Sequence, residues 1–172
     1  MIIRPNFNTI PDELKDRNQW VLWRMVSRGG KEVKLPWSVY NKAASTTDDS
    51  TWSSFECAVM RYDESYHAGV GFVFKDGGGL AGVDLDACRN PQVEQIADWA
   101  LTYIEKANTY TEVSPSGTGV KMWLKTTKDF KGQNIKLDYP PIIPGGKKPG
   151  IEYYTHGRYF AVTGKVLKGF TR

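Results

Sequence analysis

Residues Gly69 to Asp86 read GVGFVFKDGGGLAGVDLD, two apolar runs either side of Gly77-Gly78-Gly79. Short apolar runs bounded by a glycine turn indicate strands, and the spacing predicts a hairpin of Gly69–Phe74 with Leu80–Asp86. The second run ends Gly82-Val83-Asp84-Leu85-Asp86. On a strand, residues two apart point to one face, their Cα atoms about 6–7 Å apart. Asp84 and Asp86 therefore project together, while Val83 and Leu85 turn into the core. Two adjacent carboxylates repel each other, and a hard divalent cation such as Mg²⁺ or Mn²⁺ is the simplest stabiliser. The bland alternative is a pair of solvated aspartates at a strand end, since D-x-D alone is short and common.

Outward from this stretch, strands keep recurring. Trp20 to Val26 is an apolar, aromatic-rich run, Gly29-Gly30 a turn, and Lys31 to Trp37 a returning strand. Thr109–Val113 and Val120–Lys125 flank the turn Pro115-Ser116-Gly117-Thr118-Gly119, and Ile151–Tyr154 and Arg158–Thr163 flank Thr155-His156-Gly157. A proline- and glycine-rich loop runs from Tyr139 to Gly150. Helices are fewer. Pro11 to Arg17 suits a short one; Trp52, Phe55, Val59 and Met60 recur at helical spacing behind Ser50 or Thr51 as cap. Asn90-Pro91 reads as a helix start, with Val93, Ile96, Ala97, Ala100 and Ile104 as its apolar face. The expected class is α/β (α+β), a mixed, largely antiparallel sheet with flanking helices.

The totals agree with a folded chain. The 172 residues suit a single domain over 1–172, and 40% hydrophobic with 13% aromatic residues excludes a disordered polymer. No run is long enough to predict a membrane span, and the start MIIRPNFNTIPDELKDR lacks a signal-peptide layout, so a cytoplasmic location is expected. Cys57 and Cys88 do not make a disulfide framework or a C-x-x-C zinc site. Formal charge is +4, and lysines gather at Lys121, Lys125, Lys128, Lys131 and Lys136, at Lys147 and Lys148, and at Lys165 and Lys168. That distribution suits either a solvated surface or a phosphate-binding face.

Two further segments carry chemistry. In Ser114-Pro115-Ser116-Gly117-Thr118-Gly119-Val120-Lys121, glycines let backbone N–H groups approach an anion, and hydroxyls add donors. Lys121 and Lys125 share a strand face with Trp123 and could meet phosphates, with Trp123 placed to stack on a base. An ordinary hairpin turn is the competing reading. In Ile151-Glu152-Tyr153-Tyr154, Glu152 is an acid inside an apolar-aromatic strand, and Arg158 follows as a surface charge or a phosphate clamp. Glu112 enters the serine-glycine turn as a solvated position or as an orienting group. His156 reads as an exposed, non-functional turn residue, and His67, after a helix, as a cap or a solvent-facing residue.

In this order the three elements resemble the archaeo-eukaryotic primase superfamily, most of all its phage and plasmid primase-polymerase branch. That superfamily has an acidic D-x-D, then a serine-glycine turn leading to a basic residue, then a third carboxylate on a late strand. Lys34-Leu35-Pro36-Trp37, Ala44 to Asp48 with Trp52, Thr109 to Val113 and Tyr159 to Gly164 also look like members of that branch, so the likeness spans roughly residues 20 to 164. It implies an RRM-like catalytic core and a metal-dependent nucleotidyltransferase, a DNA primase/polymerase active in replication. It implies that Asp84, Asp86 and Glu152 hold Mg²⁺ or Mn²⁺. Ser114, Ser116, Gly117, Gly119, Lys121, Arg158 and Lys34 would bind the nucleotide. The implied partners are dNTP or NTP and a DNA template and primer. Relatives often continue into a helical region and a helicase, so the chain is expected to be the N-terminal part of a longer replication protein. Lys121 stands where many relatives have histidine; it keeps a positive charge but is no near-neutral acid or base. Glu152 stands where many have aspartate. A nucleotide- or single-strand-binding module without catalysis and a metal-dependent nuclease are the competing functions.

Overall fold

The structure, a computed structural model, describes residues 2–170. Its strands are β1 (Trp20–Arg28), β2 (Lys31–Trp37), β3 (Gly69–Phe74), β4 (Leu80–Asp86), β5 (Arg89–Asn90) and β6 (Gln95–Ile96). They continue with β7 (Thr111–Val113), β8 (Val120–Lys125), β9 (Gln133–Lys136), β10 (Gly150–Tyr154) and β11 (Arg158–Val162). Helices α1 (Asp12–Lys15), α2 (Phe55–Arg61) and α3 (Asp98–Ala107) flank them. The class is the expected α+β, with every described strand pairing antiparallel. Among the described residues no helix is long and apolar enough to cross a membrane.

The strands form two main sheets, ordered β11-β3-β1-β2 and β7-β8-β4-β10-β9, with β5-β6 a small separate ribbon. The β1–β2 hairpin forms as read: Arg28 pairs with Lys31, leaving Gly29 and Gly30 as the turn with φ of 58° and 75°. Both positive φ values match the twist of the strands they join. The β7–β8 hairpin also forms. Two other expected hairpins do not. β3 and β4 lie in different sheets, and so do β10 and β11. The reason is burial. All six residues of β3 are buried, so it needs cover on both faces. Phe72, Phe74 and Phe160 of one sheet meet Trp123, Tyr154 and Leu80 of the other in one core. A Cβ on Gly82 would lie 2.5 Å from the Phe74 ring and 2.8 Å from the Phe160 ring, so the sheets meet closely there.

The other face of the five-stranded sheet is covered by α3. Ala100 and Ile104 pack on Leu85, Val120, Met122 and Ile151. This helix starts at Asp98, later than Asn90-Pro91 suggests. The Asn90 side chain instead accepts the Gln92 N–H at 3.1 Å, and Arg89 pairs with Ile96 across the β5–β6 ribbon. An Asx turn thus takes the place of a helix cap. In α2 the cap is Ser54, whose hydroxyl accepts the Cys57 N–H, not Ser50 or Thr51. Strand β9 was not legible because its polar sequence, Gln133 to Lys136, is exposed throughout.

Candidate active site

The register of the five-stranded sheet places Glu112, Lys121, Asp84, Glu152 and Asn134 directly opposite one another on β7, β8, β4, β10 and β9. Asp86 begins the next row, opposite Gly150, which in turn faces Lys136. Asp84 and Glu152, 68 positions apart in sequence (152 − 84 = 68), are therefore cross-strand neighbours. Leu85 between the two aspartates is fully buried in the core under α3, so strand alternation holds both carboxylates on the opposite face.

Asp84 forms an ion pair with Lys121 through Oδ2, and its Oδ1 is buried with no hydrogen-bond partner. The Lys121 ammonium also lies 4.0 Å from the centre of the Phe160 ring, a cation–π contact from the other sheet. Glu152 accepts a hydrogen bond from the Asn134 amide. Burial, and then repulsion from Asp84, push the Asp86 carboxyl above its ordinary range. Three hard oxygen donors, one of them a buried orphan, fit a divalent cation. The Asp84 side chain is turned toward Lys121 and that of Glu152 toward Asn134. Among the described residues, the trio whose ligand atoms already lie within 4.8 Å of one another is an exposed one, Asp76, Asp129 and His156.

Ser114 organises the turn that leads into β8. Its hydroxyl accepts the Gly119 N–H at 3.1 Å and its carbonyl accepts the Gly117 N–H at 2.8 Å. These two amides are thus used within the turn. Ser114, Ser116 and Thr118 form a hydroxyl chain at 3.1 and 2.9 Å. Two supports were invisible in sequence. Arg89, 3% exposed, donates to the Gly117 carbonyl at 2.9 Å and pairs with Glu94 at 3.0 Å. The Ile3 N–H donates to the Pro115 carbonyl at 2.9 Å.

Two cavities flank the acidic pair. One, of about 530 Å³, is lined by Asp84, Lys121, Glu152, Arg158 and Tyr159. The other, of about 810 Å³, is lined by Asp86, Ser116, Thr118, Lys136, Lys147 and Lys148. Lys34 lines both. Desolvation by burial, then repulsion from Lys121, hold the Lys34 amine below the ordinary lysine range; the residue keeps an exposed part, so water screens the effect.

Other sequence expectations fall elsewhere. Trp123 shares the Lys121 face but is 3% exposed, packed on Tyr110 and Phe160, and so cannot stack on a base. Lys125 points away, to Glu13 at 3.1 Å. Glu112 is not solvated. It is fully buried and accepts the N–H groups of Thr163 and Gly164 and the Tyr110 hydroxyl, each at 2.8 Å. An acid on a short strand gives no signal for this, because its two backbone donors lie more than 50 residues later.

No family model matches the chain. Over 156 residues, 88% of its length, it is 29% identical to a protein of Nitratiruptor phage NrS-1 named DNA Primase-polymerase, and it spans 20% of that protein's length. The likeness supports a primase-polymerase relationship over most of this chain.

Proposed function

We propose that this chain is the catalytic core of a primase-polymerase of the archaeo-eukaryotic primase superfamily. It binds dNTP with Mg²⁺ or Mn²⁺ and adds nucleotides to a DNA 3′ end on a template. The observation that carries this reading is the cross-strand pairing of Asp84 with Glu152 beside Asp86, with Asp84 Oδ1 buried and unpartnered.

In such a reaction the 3′-hydroxyl oxygen bonds to the α-phosphorus, the bond to the β-phosphate oxygen breaks, and pyrophosphate leaves. A bound divalent ion would neutralise the triphosphate and polarise the phosphoryl group under attack. Asp84, Asp86 and Glu152 are its holders. Strands β4 and β10 fix their backbones, and short side-chain rotations away from Lys121 and Asn134 bring the oxygens together. Lys121, once turned from Asp84, supplies a fixed positive charge for a phosphate, and Arg158 and Lys34 line the smaller cavity with it. Ser116 offers its hydroxyl, while Ser114, Gly117 and Gly119 hold the turn in shape. The larger replication protein, with a helical region and a helicase, belongs to the same proposal.

The test is primer extension. Asp84→Ala with Asp86→Ala should lower Mn²⁺-dependent extension by roughly 10³-fold, equivalent to about 4 kcal/mol, with the circular-dichroism spectrum unchanged. Unchanged extension sinks the assignment. A primer that shortens identifies a nuclease instead.

A further inference from the structure

The larger cavity contains cations that the sequence motifs do not use. Lys136 stands on β9, and Lys147 and Lys148 on the loop between β9 and β10, and all three line the cavity together with Ser116 and Thr118. Lys34 closes the same space from β2. Four lysines face two carboxylates there, Glu32 and Asp86, a formal excess of +2 (4 − 2). Lys148 has one acidic neighbour, Asp138, at 3.9 Å. Lys147 adds to the repulsion on the Lys34 amine. Like charges gathered in a partly enclosed space destabilise one another unless a polyanion joins them.

We infer that Lys136, Lys147 and Lys148 form the cationic part of a phosphate clamp, with Ser116 and Thr118 as its hydroxyl part, and that the clamp takes the polyphosphate tail of the nucleotide. This rests on the nucleotide-binding reading above. Three features favour a tail over a continuous strand. Lysines from β2, β9 and the β9–β10 loop meet in one cavity; the hydroxyl residues Ser116 and Thr118 line it with them; and Asp86, a proposed holder of the metal, lines it too. Polyphosphate binding to Mg²⁺ and lysine together is a common arrangement, because Mg²⁺ retains substrate phosphates as ligands and lysine acts as a point charge. The loop Leu137 to Pro149 thereby becomes part of the substrate site, closed at its base by the Leu137 N–H donating to the Pro149 carbonyl at 3.0 Å.

The experiment compares the protein with its Lys147→Ala/Lys148→Ala variant, using inorganic triphosphate with Mn²⁺ in calorimetry and a labelled single-stranded oligonucleotide in anisotropy. The inference expects triphosphate Kd to rise about tenfold, two charge-assisted contacts being lost, with oligonucleotide Kd changing less than twofold. Lys147→Arg/Lys148→Arg should recover most of the triphosphate affinity. Equal triphosphate affinity in the alanine variant overturns the inference, as does a loss confined to the oligonucleotide. Primer extension by the unaltered protein separates the two readings. If it extends primers while the alanine variant binds triphosphate normally, only the clamp fails. If it extends none while the lysines still govern triphosphate binding, only the polymerase reading fails.

Discussion

Glu112 shows how much one buried group can hold together. Its carboxylate joins β7, at the edge of one sheet, to Thr163 and Gly164, just past the edge strand of the other. Burial raises its carboxyl from 4.5 to about 7, although the three donors around it pull the other way. The sign of the resulting pH dependence follows. A carboxyl whose folded-state value is raised binds its proton more tightly when folded, so stability from this group is gained as pH falls from about 7 toward 4.5 and is absent above 7. Glu112→Gln removes that titration. It should lower the melting temperature at every pH, because an amide cannot accept both backbone N–H groups. The gap to the unaltered protein should widen between pH 7 and 5. A gap that stays constant with pH in thermal scans would show that Glu112 does not titrate there. Nothing in Thr109-Tyr110-Thr111-Glu112-Val113 announces this role, since strand alternation says only which face the residue occupies.

Single elements were largely legible; of the four expected hairpins, β1–β2 and β7–β8 paired as read and the other two did not. The alternation in Gly82 to Asp86 identified a strand and the face of its acids, because that pattern is local. The β1–β2 turn was legible for the same reason, since Gly29-Gly30 dictates its own geometry. The glycine run 77–79 and the turn 155–157 looked like hairpins but pass between sheets. What decides that is the aromatic content of β3 and β11, which needs a second layer, and no local signal encodes it. Gly82 marks the meeting of the layers. Gly82→Ala puts a methyl against two phenylalanine rings, so urea unfolding should show a loss of about 1–3 kcal/mol. A variant as stable as the original would mean that the rings can move aside. The candidate site was legible as three separated motifs. Their convergence depended on β4 standing between β8 and β10, which is a property of pairing order.

At the scale of the molecule, the two sheets share one aromatic core, and both line the smaller cavity, Lys34 and Arg158 from one and Asp84, Lys121 and Glu152 from the other. Phe160 belongs to both: its ring packs on Phe74, Trp123 and Tyr154, and Lys121 rests on it. Phe160→Ala should cost about 3–5 kcal/mol. Because both sheets lean on that ring, far-ultraviolet dichroism and tryptophan fluorescence should still report one coincident transition, at a lower temperature. Two separated transitions would show that the sheets unfold independently. The extended cavities, one on each side of the acidic pair, are also features of the whole molecule. They are walled by β2, the β9–β10 loop and β11, which approach from outside the central strands.

The two edges of the five-stranded sheet differ. Along β7, the chain after β11 runs as a cover: the Val113 N–H donates to Lys165, the Leu167 N–H to Thr111, and the Thr111 N–H to Phe170. Among the described residues, β9 has β10 as its only strand partner. Self-assembly by strand addition therefore has a direction. A second chain, or an extended peptide, can lengthen this sheet only from the β9 side. There it would lie next to Asn134, the residue that holds Glu152. Crowding at that edge would thus reach the acidic row first, and Lys131 and Lys136, flanking and ending the strand, are the charges that discourage it.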